Sequence, residues 1–192
     1  MNFLEDYQLE GNILEIVKYP NPILKKVADP VTEFNDELRD LVRDMLYTLY
    51  KAPGLGLAAP QVGKSLRLFV MDTDYKREEI TDAKGNETYD LSEFNPRVII
   101  NPIFTGHEGE ILYEEGCLSL PGIFENVKRA DKVTVEYQDM WGNKHTEQAE
   151  GVYSVCLQHE NDHLDGIVFL ERLSLLKKNL LRKKFLKSQA LA

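Results

Sequence analysis

The sequence predicts an α+β fold in which antiparallel sheets pack around a helix that carries two histidines, with an N-terminal amphipathic helix and a C-terminal helix beside them. Three observations predict it. Apolar residues recur every three to four positions in residues 34–51, as they do in an amphipathic helix. The middle of the chain alternates apolar and polar residues around turn-forming glycines, as hairpin-connected strands do. Helical patterns return after residue 150.

The first helix is predicted to begin after Asn35, a suitable N-cap, and to end before Pro53 and Gly54. Its apolar positions are Phe34, Leu38, Leu41, Val42, Met45, Leu46 and Leu49. This spacing places the apolar side chains on one face, which we expect to be buried.

Strands are predicted at residues 66–72 and 97–104, which are rich in β-branched and aromatic residues. Residues 72–94 between them are polar, and we interpret them as a surface hairpin that turns around Lys84-Gly85-Asn86. A further hairpin is predicted to turn at Trp141-Gly142-Asn143.

Two helices are predicted at the end of the chain, in residues 151–169 and 173–188. In the last helix we expect one packed face, formed by Leu173, Leu176, Leu180 and Leu181. The basic side chains are then left for the other face.

Length and composition favour one soluble domain covering residues 1–192. Of the 192 residues, 43% are apolar and 29% charged, which is typical of globular domains. No apolar run approaches the roughly 20 residues that cross a bilayer, so no membrane partner is expected. The acidic start of the chain lacks the basic flank and apolar centre of a secretory signal, and a cytoplasmic location is expected.

Charge is distributed unevenly along the chain. The formal net charge of −9 argues against broad nucleic-acid binding, and specific DNA binding is not expected. From Arg172 onward there are seven basic and no acidic residues, so the remainder carries −16. Residues 174–192 are therefore predicted to form a basic C-terminal helix.

The segment QHENDHLDG, residues 158–166, predicts a metal site. His159 and His163 are four residues apart, so in a helix they lie on one face, one turn apart. Glu160 lies about 100° around the helix from His159. Two neutral nitrogen ligands with a carboxylate close by suit hydrolysis, because the carboxylate can take a proton from water. The alternative interpretation is a pair of core or surface histidines without a metal.

A third ligand is expected, because catalytic sites of the zinc type usually have three protein ligands and one open position. Cys117, in the segment EEGCLSLPG, offers a thiolate, which is a strong ligand for iron, zinc or nickel. A lone cysteine is more often a small core residue. Cys156 is interpreted in that way. Downstream of Gly166 the only carboxylate is Glu171.

The segment GLGLAAPQVG, residues 54–63, resembles a dinucleotide-binding loop only superficially. Such a loop follows a strand and opens a helix, whereas this segment follows a helix and leads toward a strand. Its glycines and alanines favour tight backbone packing. Gln61 offers two N–H donors, which suit the stabilisation of an oxyanion. A surface turn is the alternative.

Taken together, GLGLAAPQVG, EEGCLSLP and QHENDHLDG closely resemble the three signature motifs of the peptide deformylase family. The likeness covers roughly residues 13–173 and includes KYPNPILKKVADPV near the start. The resemblance implies a metal-dependent hydrolase that removes the formyl group from the N-terminal formyl-methionine of nascent polypeptides and releases formate. It also implies N-formylmethionyl peptides as partners, and one divalent ion per chain. Fe2+ is the expected native ion, with Zn2+, Ni2+ or Co2+ as substitutes.

The resemblance also assigns roles to individual residues. It implies Cys117, His159 and His163 as metal ligands, Glu160 as general base, and Gln61 with the backbone N–H of Leu118 as oxyanion donors. Positions that match the peptide groove or its supports are Gly56, Glu115 and Gly116. Positions that match the methionine pocket are Leu55, Val152 and Val155. Arg129 and Asp162 match an ion pair that steadies the metal-bearing helix.

Two other functions stay open at this point. A zinc endopeptidase shares the H-E-x-x-H motif, but it lacks an upstream thiolate ligand and needs a longer cleft. A structural metal site needs a fourth protein ligand, for which the sequence offers no convincing candidate. A further hypothesis concerns the basic C-terminal helix, which could contact ribosomal RNA through electrostatic attraction.

Overall fold

The computed structural model describes residues 7–81 and 85–190. The α-helices are α1 Asp36–Lys51, α2 Gly151–Leu164 and α3 Leu175–Gln189. Short 3-10 helices lie at Pro22–Lys25, Ala59–Val62 and Phe169–Arg172. The strands are β1 Gly56–Ala58, β2 Leu68–Met71, β3 Lys76–Thr81, β4 Glu87–Ser92, β5 Arg97–Glu108, β6 Ile111–Gly116, β7 Phe124–Arg129, β8 Lys132–Gln138 and β9 Lys144–Glu150.

The strands of the described residues form one five-stranded sheet, in the order β1-β2-β5-β8-β9, and two hairpins, β3–β4 and β6–β7. All strand pairs in these sheets are antiparallel. The predicted α+β fold is therefore confirmed. Among the described residues, no helix combines the length and the apolar character that crossing a membrane would require.

The five-stranded sheet lies between α1 and α2. In β2, Leu68 and Val70 belong to the core that α1 covers, whereas Phe69 and Met71 belong to the core that includes Leu157 of α2. Successive residues of a strand point to opposite faces, so both faces of β2 are buried. This explains why the sequence of β2 is a continuous apolar run, without alternation.

Helix α1 begins where the sequence predicts. The Asn35 side chain accepts a hydrogen bond from the Leu38 N–H at 3.0 Å, which caps the helix. Its predicted apolar face is buried at Leu38, Val42, Met45, Leu46 and Leu49. Local pattern and tertiary packing therefore agree for this helix.

The surface excursion is a hairpin, as predicted. Strands β3 and β4 pair from Lys76↔Ser92 to Thr81↔Glu87. Lys84, at the start of the predicted turn, lies outside the described residues, as do residues 82 and 83.

The hairpin β6–β7 is not predicted by the sequence. Its strands pair from Ile111↔Arg129 to Gly116↔Phe124, yet most of its side chains are exposed or half-buried. An exposed hairpin rich in charged residues lacks the apolar alternation by which strands are identified. The hairpin matters because it leads directly into Cys117.

The prediction of a packed face for α3 is wrong for two of the four leucines assigned to that face. Leu176 is 81% exposed and Leu180 is 65% exposed, whereas Leu173 and Leu181 are partly buried. The helix is anchored instead by Phe185, which is fully buried and packs edge-on against Tyr19. Leu181 and Phe185 make the apolar contact of the helix, and its other leucines are exposed, so the leucine spacing does not indicate which side is buried.

Candidate metal centre and active site

Helix α2 and the end of β6 bring three potential ligands together. His159 and His163 lie one turn apart on α2, with ring centroids separated by 5.1 Å. Cys117 follows β6, and its Sγ lies 3.3 Å from His163 Nε2. One ligand atom from each of these residues lies within 4.8 Å of the other two. The sequence motif and the distant cysteine thus converge on one point.

The three side chains fit a divalent ion. One sulfur and two imidazoles form a donor set that zinc, iron or nickel accepts. Burial, followed by the positive charge of His159, lowers the pKa of His163 well below its ordinary value, which favours the neutral imidazole that a metal requires. His163 is also 1% exposed, so no solvent competes for its nitrogen atoms.

His159 is oriented by a buried carboxylate. Its Nδ1 lies 2.8 Å from Glu115 Oε2, which leaves Nε2 for the metal position. Burial raises the pKa of Glu115, but hydrogen bonds from Arg129 and His159 outweigh burial and lower it to about 2. Glu115 is therefore ionised and accepts the Nδ1 proton. Burial lowers the pKa of His159, but its hydrogen bonds with Cys117 and Glu115 outweigh burial and raise that pKa well above its ordinary value. If a metal takes the place of the proton on Nε2, the proton on Nδ1 stays in the hydrogen bond to Glu115.

Arg129 connects Glu115 to α2. Its Nε donates to Glu115 Oε1 at 2.6 Å, and its Nη1 donates to Asp162 Oδ2 at 2.6 Å. All three side chains are nearly inaccessible to solvent. The ion pair of Arg129 and Asp162 that the resemblance implies is thus present, behind the two histidines.

Glu160 is buried and faces the groove side of α2. Its Oε2 has no hydrogen-bond partner in the described part of the chain. Burial raises its pKa to about 7, although the positive charge of His159 works in the opposite direction. A carboxylate in this environment can both release and accept a proton near neutral pH.

Gln61 directs its amide N–H groups toward the cysteine. Its Oε1 accepts a hydrogen bond from the Ala58 N–H at 2.8 Å, which fixes the orientation of the amide. Its Nε2 then lies 3.5 Å from Cys117 Sγ and 3.2 Å from Ser119 Oγ. Residues 57–61 of the segment that could have been a surface turn are buried, and Gln61 lies beside Cys117.

A groove of about 660 Å³ opens onto the site. The predicted residues that line it are Leu55, Gly56, Gln61, Glu115, Gly116, Cys117, Leu118, Val152, Val155, His159 and Glu160. Cys156, expected in the core, is 7% exposed and lines the same groove. Leu55, Val152 and Val155 make one part of the wall apolar. Arg129 and Asp162 do not line the groove, in keeping with a supporting place behind the histidines.

Sequence reasoning missed several residues at the site. Ser119 is buried and accepts from Gln61, while Lys18 Nζ donates to the Leu118 carbonyl at 2.8 Å. Arg172 contacts both carboxylate oxygens of Asp162. Lys18 precedes Leu118 by 100 residues, and no local pattern links such positions.

Comparison with known proteins decides the family. A family model described as polypeptide deformylase matches residues 13–179 of the chain. The chain belongs to the polypeptide deformylase family. A peptide deformylase of Acidobacterium capsulatum is 48% identical over 177 residues, which cover 92% of this chain and 96% of that protein. One from Wolinella succinogenes is 44% identical over 177 residues, covering 92% and 98% respectively.

Solved deformylase structures share the fold. The crystal structure of a peptide deformylase from Legionella pneumophila superposes with a TM-score of 0.78 at 41% identity, covering 93% of this chain and 96% of that one. A deformylase from Ehrlichia chaffeensis gives a TM-score of 0.79 at 37% identity, covering 93% and 97%. As a deformylase, the chain is a metal-dependent hydrolase that removes the formyl group from the N-terminal methionine of nascent polypeptides.

Proposed function

We propose that Cys117, His159 and His163 hold the catalytic ion and that this ion is natively Fe2+, with Zn2+, Ni2+ or Co2+ as substitutes. The convergence of the three ligand atoms within 4.8 Å carries the proposal. The resemblance to deformylases favours iron, and the mixed sulfur and nitrogen donors are compatible with all four ions. When bound, the ion supplies Lewis acidity that polarises the formyl carbonyl and acidifies water beside it.

Glu160 is the general base and then the general acid. It takes a proton from the attacking water, and the water oxygen forms a bond to the formyl carbon. When the C–N bond breaks, Glu160 returns the proton to the departing amine. The products are formate and a free N-terminal methionine. The burial of Glu160 and its unpartnered Oε2 support this role.

Gln61 and the backbone N–H of Leu118 stabilise the negative charge that develops on the formyl oxygen. The support for Gln61 is its orientation, since the Ala58 N–H holds Oε1 and thereby turns Nε2 toward Cys117. Because this donor is already oriented before the reaction, no free energy is needed to reorient it as the charge develops.

The substrate peptide lies along β1. This strand is at the edge of the five-stranded sheet, so its outer backbone groups can pair with an extended peptide, apart from the Ala58 N–H, which already donates to Gln61 Oε1. Gly56, Glu115 and Gly116 line the groove beside it. The methionine side chain occupies the apolar wall formed by Leu55, Val152 and Val155. Arg129 and Asp162 support the helix that carries the histidines.

The whole chain, residues 1–192, acts as a single cytoplasmic catalytic domain, and α3, within the basic C-terminal segment 174–192, contacts the ribosome. The support is the exposure of Arg182, Lys183, Lys184 and Lys187 on α3, next to the exposed Leu176 and Leu180. Basic side chains on an acidic protein would attract ribosomal RNA in a salt-dependent manner. No membrane partner and no specific DNA are involved.

The proposal is tested by metal analysis and formate release. Protein purified without oxygen should contain one equivalent of iron and release formate from a formyl-methionyl peptide but not hydrolyse casein. Cys117→Ala protein should lose tight metal binding, with Cys156→Ala as the matched cysteine control that keeps it. Normal metal affinity in the Cys117→Ala protein would show that the third ligand lies elsewhere.

A further inference from the structure

Arg172 lies behind the metal-bearing helix, outside the residues to which a role has been given. It ends the 3-10 helix Phe169–Arg172. Its Nε donates to Asp162 Oδ2 at 3.0 Å, and its Nη2 donates to Asp162 Oδ1. Arg172 and Asp162 thus form a bidentate ion pair, which fixes the relative orientation of the two side chains as well as pairing their charges.

A continuous chain of charged hydrogen bonds leads from Arg172 to His159. Asp162 Oδ2 also accepts from Arg129 Nη1 at 2.6 Å. The other two nitrogen atoms of Arg129, Nε and Nη2, donate to the two oxygens of Glu115 at 2.6 and 2.9 Å. Glu115 Oε2 in turn lies 2.8 Å from His159 Nδ1. Each link is within hydrogen-bond distance.

The carboxylate and guanidinium groups of this chain are equal in number only when Arg172 is included. Glu115 and Asp162 contribute two buried negative charges, with side chains that are 3% and 6% exposed. Arg129, 3% exposed, contributes one buried positive charge. Arg172, whose side chain is 45% exposed, contributes the second. Removing Arg172 takes away one of the two guanidinium partners of Asp162, which leaves an excess of carboxylate over guanidinium charge behind the histidines.

Arg129 is the residue that would respond to this excess charge. Without Arg172, one guanidinium must serve two buried carboxylates, and Asp162 would compete with Glu115 for it. The same atom, Glu115 Oε2, accepts from Arg129 and orients His159. A shift of Arg129 toward Asp162 would therefore alter the position of the His159 ring.

The 3-10 helix also contacts His159 directly. The ring of Phe169 stacks on the His159 ring, with centroids 6.2 Å apart and an interplanar angle of 28°. The segment Phe169–Arg172 therefore supports α2 through one aromatic contact and one charged contact. Neither Phe169 nor Arg172 lines the substrate groove.

We propose that Arg172 is a positioning residue for the metal centre, acting on His159 through Asp162, Arg129 and Glu115. The inference rests on the proposed metal site at Cys117, His159 and His163. It assigns to Arg172 an effect on the ion and on turnover, and no effect on peptide binding, because Arg172 does not line the groove.

The test compares three variants of the cobalt-loaded protein. In Arg172→Ala protein we expect cobalt to be lost to a chelator about 10-fold faster, a changed visible absorption spectrum of the ion, and a kcat about 10-fold lower at unchanged KM. Arg172→Lys keeps the positive charge but cannot form the bidentate pair. Its cobalt retention, absorption spectrum and kcat should therefore lie between those of Arg172→Ala and the unaltered protein. It also serves as the folded variant if Arg172→Ala does not fold.

Arg67→Ala is the matched control. Arg67 also pairs with an aspartate near the end of α2, since its Nη1 lies 2.8 Å from Asp165 Oδ1. In the described part of the chain, the Asp165 side chain accepts hydrogen bonds from Arg67 and Asn161, and neither is a proposed metal ligand. The Arg67→Ala protein should therefore lose thermal stability, while its metal loss, spectrum and kcat stay within about twofold of the unaltered protein.

A double-variant cycle separates the proposed route from a general loss of stability. If Arg172 acts through Asp162, adding Arg172→Ala to Asp162→Asn should change cobalt loss little further. Metal loss and spectra in Arg172→Ala protein that match those of Arg67→Ala would overturn the proposal for Arg172. If instead the unaltered protein binds cobalt with no dependence on Cys117, the metal-site proposal itself fails. The two failures are thus distinguishable.

Discussion

Gly56 and Glu160 are in such close contact that a Cβ atom added to Gly56 would lie 2.4 Å from Glu160 Oε1. A contact this short does not occur between a real Cβ atom and a neighbour. Glycine is therefore required at position 56 because β1 passes directly beside the carboxylate. The backbone of β1 and the proposed base form one wall of the site.

Replacing Gly56 with alanine should displace Glu160 and impair formate release. A displacement of about 1 Å commonly lowers turnover about 10²-fold. Release of formate from a formyl-methionyl peptide measures this effect. The control is Gly106→Ala in β5, where the added methyl would approach Thr134 Oγ1 at 3.1 Å, away from the groove. Equal losses in both variants would mean that Gly56→Ala acts through general stability.

Replacing Glu160 with glutamine should abolish proton transfer without removing a metal ligand. We expect formate release to fall about 10²–10⁴-fold, the range typical of general acid–base groups. Metal content, measured by elemental analysis, should stay at one equivalent per chain. Substantial formate release by the metal-loaded Glu160→Gln protein would exclude Glu160 as the base.

Replacing Gln61 with glutamate should remove the proposed oxyanion donor while keeping an oxygen for the Ala58 N–H. Loss of one such donor commonly lowers kcat about 10²–10³-fold. Steady-state kinetics should show the loss in kcat. Ser119→Ala is the control, because Ser119 accepts from Gln61 but is not proposed to contact substrate. A kcat for Gln61→Glu no lower than that for Ser119→Ala would argue against the role.

Replacing Asp139 with asparagine should destabilise the β8–β9 hairpin in a pH-dependent manner. Partial burial raises the pKa of Asp139, but hydrogen bonds from His145 and Asn143 outweigh it and lower the pKa. The carboxylate therefore adds stability above its unfolded pKa, and this is lost as the pH falls through the folded pKa. Melting temperatures of the two proteins should differ most near neutral pH and converge in acid.

The control for this measurement is Asp90→Asn, at an exposed position on β4. Its melting temperature should follow that of the unaltered protein at every pH. A constant difference between Asp139→Asn and the unaltered protein across the pH range would show that the charge of Asp139 adds no stability.

Replacing Lys183, Lys184 and Lys187 with alanine should reduce the amount of protein that co-sediments with ribosomes. It should also make ribosome binding less dependent on salt concentration. The reason is that each basic residue that contacts a phosphate releases a counterion. Deformylation of a free peptide should be unchanged, because α3 does not line the groove. A control that removes Lys51, Lys64 and Lys144 loses the same charge elsewhere on the surface. Equal weakening in both variants would point to net charge and not to α3.

The sequence alone determined the features that depend on neighbours in the chain. The spacing of His159 and His163 fixes a shared face because a helix has a constant period. The extent of α1 follows from its apolar period and from the Asn35 cap, and both are local. The resemblance of three short motifs was sufficient to predict the family, and the residues that we propose carry out the chemistry lie within them.

Only the tertiary structure decided how distant residues meet. Cys117 and His163 are 46 positions apart, and the unpredicted hairpin β6–β7 is what delivers the cysteine to the helix. The chain from Arg172 to His159 likewise joins charged groups from four elements, the 3-10 helix Phe169–Arg172, α2, β7 and β6. The sequence also did not predict which side of α3 is buried. Such contacts depend on the summed packing of the whole chain, and a local pattern contains no information about which distant surface it will meet.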